Sequence, residues 1–252
     1  MTQKNKGENM KIAVISDIHA NKLALESVLS DIKNYDPDMI FCLGDYVMAG
    51  YNPNDTMAML FELKEKYGEN FKMIQGNTDK MVVECNEELI ENTIKAFPCM
   101  GYSLKEDVKI IDKKYIDFIK NLPEKMKIEV SNLKIELVHG SPRKQNENIY
   151  PQLPEKTVEE MVKDSDCELI LCGHTHKPAG YSLSIGKTVI NVGSVGRSMN
   201  IDKMPVYLQL NVDKNGQFYS EHRIINYDNK QVANHILMRN FPHCEELAEM
   251  FL

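Results

Sequence analysis

Asp17-Ile18-His19, Gly44-Asp45, Gly76-Asn77-Thr78-Asp79, His139-Gly140 and Gly173-His174-Thr175-His176 are the segments whose side chains could do chemistry together. Between them they offer three carboxylates, four imidazoles and one carboxamide. Several of the segments directly follow a run of apolar, β-branched residues, which sets the ligand-bearing loops at strand ends. Donors of this kind are what a two-metal hydrolytic site needs. Asp17 and His19 are two apart, so in extended chain they project to the same side. Asp45 follows a glycine that lets the backbone turn sharply. Gly173-His174-Thr175-His176 sets two imidazoles in a tight loop closed by Lys177-Pro178 and is the most specific of the five. Taken alone, Asp-x-His and Gly-Asp are ordinary turn sequences, and His139 reads as a core or turn histidine. Their co-occurrence at the ends of apolar runs, where open α/β sheets build their sites, favours metal chemistry.

An alternation of elements must position these loops. Residues 11–16 read as a buried strand, and 22–32 as a helix with Leu23, Val28 and Ile32 at helical spacing. A second buried strand, 39–43, ends at Gly44-Asp45. Asn54 or Asp55 can cap a helix running to Tyr67, and a short strand over 71–74 leads to Gln75-Gly76. This rhythm predicts an α/β sheet with parallel neighbours. Helical patterns over 79–94 and 112–122 are interrupted at Pro98 and Gly101. Residues 126–130 and 134–138 form a hairpin about Ser131-Asn132, 158–163 a short helix and 169–172 a strand. Strands over 181–185, 188–192, 206–212 and 218–225 pair antiparallel, with Asn215-Gly216 as a strong hairpin signal. The expected organisation is a polar tail over 1–10, one domain over 11–227 and a helical extension of that domain over 228–252, broken near Pro242.

The 252 residues carry a formal net charge of −7, with 42% hydrophobic and 27% charged residues, an ordinary soluble composition. The charge argues against an extended nucleic-acid surface. It leaves phosphate substrates open, because bound dications supply positive charge locally. The six cysteines show no CxxC spacing, and Cys42 and Cys172 lie in apolar runs, which predicts a reduced, cytoplasmic protein. Residues 1–10 lack a signal-peptide core. No apolar stretch approaches the ~20 residues of a membrane helix. No membrane partner is expected, and the oligomeric state stays open.

The ordered set D-x-H, G-D, G-N-x-D, H-G and G-H-T-H resembles the calcineurin-like metallophosphoesterase superfamily, in particular its compact phosphodiesterase and protein-phosphatase-like branch. Asn191-Val192-Gly193-Ser194-Val195-Gly196 is similar to that branch's Asn-Pro-Gly-Ser stretch, so the resemblance covers residues 11 to about 197. It implies a four-layer α/β/β/α sandwich of two mixed sheets flanked by helices. It also implies two divalent metal ions, Mn²⁺ first, with Fe, Ni²⁺ or Zn²⁺ as alternatives. Carried over, one metal takes Asp17, His19 and His176, the other Asn77, His139 and His174, and Asp45 bridges them. Asp45, Asn77 and His139 thereby touch the reacting centre. The implied reaction is in-line hydrolysis of a phosphate ester by a hydroxide generated between the metals. The substrate would be a phosphorylated small molecule or nucleotide-like compound, with a protein or nucleotide phosphatase, or an interaction scaffold without turnover, as alternatives.

One position departs from the family pattern. Many members carry a histidine after the Gly-Asn, where this chain has Thr78. A threonine can donate a hydrogen bond to phosphate but cannot act as a general acid near pH 7, a role worth about 10²–10⁴-fold. Diesters or activated esters are therefore expected over simple alkyl monoesters. Asp79 reads as a helix cap or as a group orienting a metal ligand. Arg143 and Arg197 could clamp a phosphate, and each is equally readable as a solvated charge. His222, His235 and His243 match no motif and read as surface or helix residues. The fifteen methionines read as core filler.

Overall fold

Alternate residues of β1 (Met10–Ile15) enter different cores. Ile12 and Val14 join one apolar cluster, Ala13 and Ile15 another, and all four are fully buried. A strand buried on both faces belongs to the middle of a layered fold. β1 pairs in parallel with β2 (Met39–Cys42), and β2 in parallel with β3 (Phe71–Met73). On its other side β1 pairs antiparallel with β9 (Val206–Val212), which forms a hairpin with β10 (Phe218–Ile224). The first sheet thus reads β10-β9-β1-β2-β3. The chain is described from a computed structural model covering residues 9–252. Residues 1–8 of the expected polar tail lie outside the described residues.

The second sheet reads β4-β5-β6-β8-β7. It comprises β4 (Lys125–Val130), β5 (Leu133–Val138), β6 (Leu169–Cys172), β7 (Ala179–Ser182) and β8 (Thr188–Asn191). Here β5, β6 and β8 run parallel, with β4 and β7 antiparallel at the two edges. Between the sheets lies a core of Ile12, Val14, Phe41 and Leu43 from one side and Ile135, Leu137, Leu169 and Leu171 from the other. On the outer face of the second sheet, α7 (Glu155–Val162) buries Val158 and Val162 against Val138, Ile170 and Val189. The outer face of the first sheet is covered by α1 (Lys22–Tyr35) and α2 (Pro53–Tyr67) together with later helices. The result is the four-layer α/β/β/α sandwich of two mixed sheets.

Between β3 and β4 the chain inserts four helices: α3 (Asn77–Val83), α4 (Glu87–Ala96), α5 (Pro98–Ile110) and α6 (Lys113–Lys120). Pro98 and Gly101, expected to interrupt helix, instead open α5 and lie inside it. A proline at the first helical position sacrifices no hydrogen bond. Gly101 is required by contact, since a Cβ there would come within 2.4 Å of the Ile94 backbone nitrogen on α4. The start of α2 also differs. Asn52 rather than Asn54 or Asp55 caps it, accepting from the Asp55 N–H, with Pro53 as the first helical residue. After β10 the chain ends in α8 (Asn229–Met238) and α9 (Cys244–Glu249), separated by the Phe241-Pro242 break.

β1, β2, β3, β5, β6 and β8 share one direction within each sheet. The five motif segments follow β1, β2, β3, β5 and β6, and their side chains converge at that end of the sandwich.

Candidate metal centre

The loops that carry the motif residues are sharply folded. Asp17, His19, Asp45, His174 and His176 all have φ between 49° and 68°, a left-handed conformation costing about 1–2 kcal/mol for a residue with a Cβ. Clustered strain of this sort marks sites that the surrounding structure holds in place. Gly44 (φ +100°) and Gly76 let the Asp45 loop and the Asn77 loop touch. A Cβ on Gly44 would come within 2.4 Å of the Gly76 nitrogen, and one on Gly76 within 2.2 Å of Asp45 Oδ1.

Three imidazoles are oriented by backbone carbonyls. His19 Nδ1 donates to Met48 O (2.8 Å), His139 Nδ1 to Leu43 O (2.7 Å) and His176 Nδ1 to Arg197 O (2.6 Å). A carbonyl can only accept, so each Nδ1 carries a proton and Nε2 is the ring atom turned to the centre, able to act as a ligand once it is deprotonated. His19 Nε2 and His176 Nε2 face each other at 3.1 Å, and His139 Nε2 faces Asn77 Oδ1 at 3.0 Å. Asp17 Oδ1 lies 3.2 Å from His176 Nε2 and 3.9 Å from both His19 Nε2 and His139 Nε2. Asp45 Oδ2 is 3.3 Å from His139 and 3.7 Å from His19. Two three-residue groups could each hold a cation: Asp17 with His19 and His176, and Asp17 with Asp45 and His139. His174 is half-buried, with its ring edge-on to His139 at 5.2 Å and its backbone N–H donating to Asp17 Oδ2.

Two imidazole nitrogens at 3.1 Å beside a buried carboxylate oxygen without a partner call for a cation. Among the described residues, the buried side-chain N and O atoms without a hydrogen-bond partner are Ser16 Oγ, Asp17 Oδ1, Thr78 Oγ1 and Arg197 Nε. All four belong to this centre or adjoin it. Buried polar atoms elsewhere being paired, such a concentration needs a reason, and the donor set fits first-row dications.

Without a cation in the balance the electrostatics are strained. Burial, then the Arg197 charge, then His176, hold the His19 imidazole down to about 3. Burial also pulls at His139, but Asp45, Asp17 and the Leu43 carbonyl outweigh it and raise that ring to about 10. Burial would lift Asp17, yet His176 and His139 hold it at about 2, while His139 and His19 keep Asp45 well below the carboxylate range against the same penalty. Asp79 is pushed up to about 7 by burial and by Asp45. It caps α3 through the Gly76 N–H (2.9 Å) and also accepts from the Asp45 and Tyr46 N–H groups (2.7 and 2.8 Å), so it both caps the helix and holds the Asp45 loop.

The three substrate candidates differ. Thr78 is buried with a free hydroxyl, and its N–H donates to Asp45 Oδ1. Arg197 is half-buried, and among the described residues its guanidinium donates only to the Met100 sulfur (3.1 Å). Arg143 is exposed and engaged by Glu147 through Nε (3.1 Å) and Nη2 (2.5 Å). Asn191 goes beyond the sequence reading: its amide donates to Gly173 O (2.7 Å) and Thr175 Oγ1 (2.9 Å), bracing the two-histidine loop. A polar residue ending an apolar run was the available signal. His222, read as a surface or helix position, lies on β10 and is half-buried, with Nε2 donating to Asn191 O.

Two mixed sheets with candidate ligands at their strand ends are a phosphoesterase fold, and residues 10–215 match the calcineurin-like phosphoesterase superfamily domain; the chain belongs to that superfamily. It is 32% identical over 203 residues to an uncharacterized protein of Methanocaldococcus jannaschii, covering 74% of this chain and 76% of that one. A metallophosphoesterase from Sphaerobacter thermophilus superposes with a TM-score of 0.73 at 25% identity, covering 96% and 98% of the two chains. A hypothetical protein from Pyrococcus horikoshii shares the fold with a TM-score of 0.86 at 19% identity, covering 96% and 97%. No helix among the described residues is long and apolar enough to cross a membrane.

Proposed function

We propose that this protein is a dinuclear metal-dependent phosphoesterase acting on phosphodiesters. The observation that carries the reading is the ring of inward-facing acceptors around the unpartnered Asp17 Oδ1. Asp17, His19 and His176 would hold one cation, Asn77, His139 and His174 the other, and Asp45 both, with Mn²⁺ the first choice. Asp17 belongs to both three-residue groups that could hold a cation, which supports two neighbouring sites. When bound, two such cations would acidify a water and neutralise phosphoryl oxygens.

The rest of the work falls to the chain itself. Carbonyl-locked imidazoles keep their Nε2 atoms inward, so loading demands little rearrangement beyond loss of the His139 proton. The Thr78 N–H holds Asp45 Oδ1, leaving Oδ2 for the centre. Arg197, a cation with no carboxylate partner among the described residues, would draw the phosphate from the His176 side. Thr78 offers only a buried hydroxyl, which cannot supply a proton to a poor leaving group near pH 7. Diesters and activated esters are favoured for that reason, and a monoester phosphatase is the alternative.

The test is hydrolysis of bis-p-nitrophenyl phosphate beside p-nitrophenyl phosphate by metal-stripped protein, with and without Mn²⁺, using Asp45→Asn as the blank. Mn²⁺-dependent turnover favouring the diester is expected. Preference for the monoester would discard the diester reading, and absence of turnover despite metal binding would leave an interaction scaffold.

A further inference from the structure

A cavity of about 480 Å³ opens beside Asn77, the residue whose Oδ1 faces His139. One wall is a single face of α3, Asn77, Lys80 and Met81, continued by Glu84 just past its end. Leu89 on α4 extends the apolar part of that wall, and the loop after β5 closes the far side with Lys144 and Asn146. A smaller cavity of about 100 Å³ adjoins it, sharing Lys144 and reaching His139 itself. The larger space thus borders the metal centre at Asn77.

The lining is mixed in a particular way. Met81 and Leu89 are half-buried and offer an apolar surface broad enough for a flat ring. Around it stand the Asn146 amide, the Glu84 carboxylate and the Lys144 ammonium. Neither Glu84 nor Lys144 makes an ion pair among the described residues, whereas Lys80 is taken by Glu124 (2.7 Å) and Arg143 by Glu147. Small-molecule sites of about 300–1,000 Å³ combine apolar walls with a few polar groups in this manner. A methyl or phenyl arm would leave most of the volume empty. A peptide would leave the ring-sized apolar wall without a matching group.

Resting on the phosphoesterase reading above, we infer that this cavity takes the nucleoside arm of a phosphodiester. The base would lie on Met81 and Leu89, its polar edge facing Asn146 and Glu84, while the phosphate reaches the metal centre past Asn77. Lys144 would meet the sugar-phosphate side of the ligand.

The experiment compares thymidine 5′-(p-nitrophenyl phosphate) with methyl p-nitrophenyl phosphate in the Mn²⁺-loaded protein. Both release p-nitrophenol, so the missing acid at Thr78 weighs equally on each, and the ratio of their kcat/KM values reports the second arm. The wild type should favour the thymidine ester by at least about tenfold, the fold-change for one well-filled apolar contact. Leu89→Trp, which fills the cavity, and Asn146→Trp, which narrows its exposed rim without touching the core, should each cut that ratio severalfold. A wild-type ratio near one, or a ratio that neither substitution moves, overturns the cavity assignment and leaves the phosphoesterase intact. Hydrolysis of neither ester by the wild type overturns both.

Discussion

Asp45→Asn retains the oxygen that accepts the Thr78 N–H and removes only the charge aimed at the centre. The fold should persist, because a buried carboxylate costs more to desolvate than an amide. Metal binding and turnover should both collapse, as calorimetric Mn²⁺ titration and diester hydrolysis would report. A variant that still binds two equivalents and turns over at the wild-type rate would exclude Asp45 as a ligand. His176→Ala removes one of the two nitrogens that face each other at 3.1 Å. Mn²⁺ stoichiometry should fall from two to one, and retention of two would show that the ligand sets are wrongly divided. These residues were legible in the sequence because Asp, His and Asn end otherwise apolar runs. The groups that aim them were not. Met48, Leu43 and Arg197 contribute carbonyl oxygens, which every residue type possesses.

At the scale of elements, the final helices are tied to the metal loops. Arg239, just past α8, donates through Nη1 to Asp107 on α5 and to Gly50 O, both at 2.7 Å. Asp107, fully buried, also accepts from the Ala49 N–H and the Ser103 hydroxyl. The loop thus pinned includes Met48, whose carbonyl orients His19. We propose that residues 228–252 are part of the same folding unit for this reason. Arg239→Met should destabilise the protein by about 3 kcal/mol, the lower end for stranding a buried charge. Adding Asp107→Leu should recover part of that loss in urea unfolding. Additive losses would deny the coupling. No sequence pattern announces a pair 132 residues apart. Local signals did better: Asn215-Gly216 lies in the turn between β9 and β10, and the Ser131-Asn132 turn joins β4 to β5. Pro98 misled because a proline that breaks a helix and one that begins it look alike without the neighbouring helix.

Across the whole molecule, the candidate centre draws Asp17, His19, Asp45 and Asn77 from loops of the first sheet and His139, His174 and His176 from those of the second. Cations shared between them would brace the two sheets. Each Mn²⁺ site filled at a hundred times its Kd should add about 2.7 kcal/mol to the unfolding free energy. An unfolding midpoint unchanged by Mn²⁺ would contradict a preformed site. The strand–helix alternation indicated parallel pairing, but two stacked sheets were legible only through the family resemblance, since the pairings that create them link distant segments. The most distant is β1 with β9, Ala13 opposite Gln209. That pairing has a consequence for synthesis. β1 leaves the ribosome well before β9, and one of its edges waits for that partner, encoded far downstream. At about 5–20 residues per second the wait is roughly 10–40 s. Throughout it, an apolar strand with an open edge is a template for other nascent chains, so yield in a cell should depend on translation speed and on chaperones that cover β1 until β9 arrives.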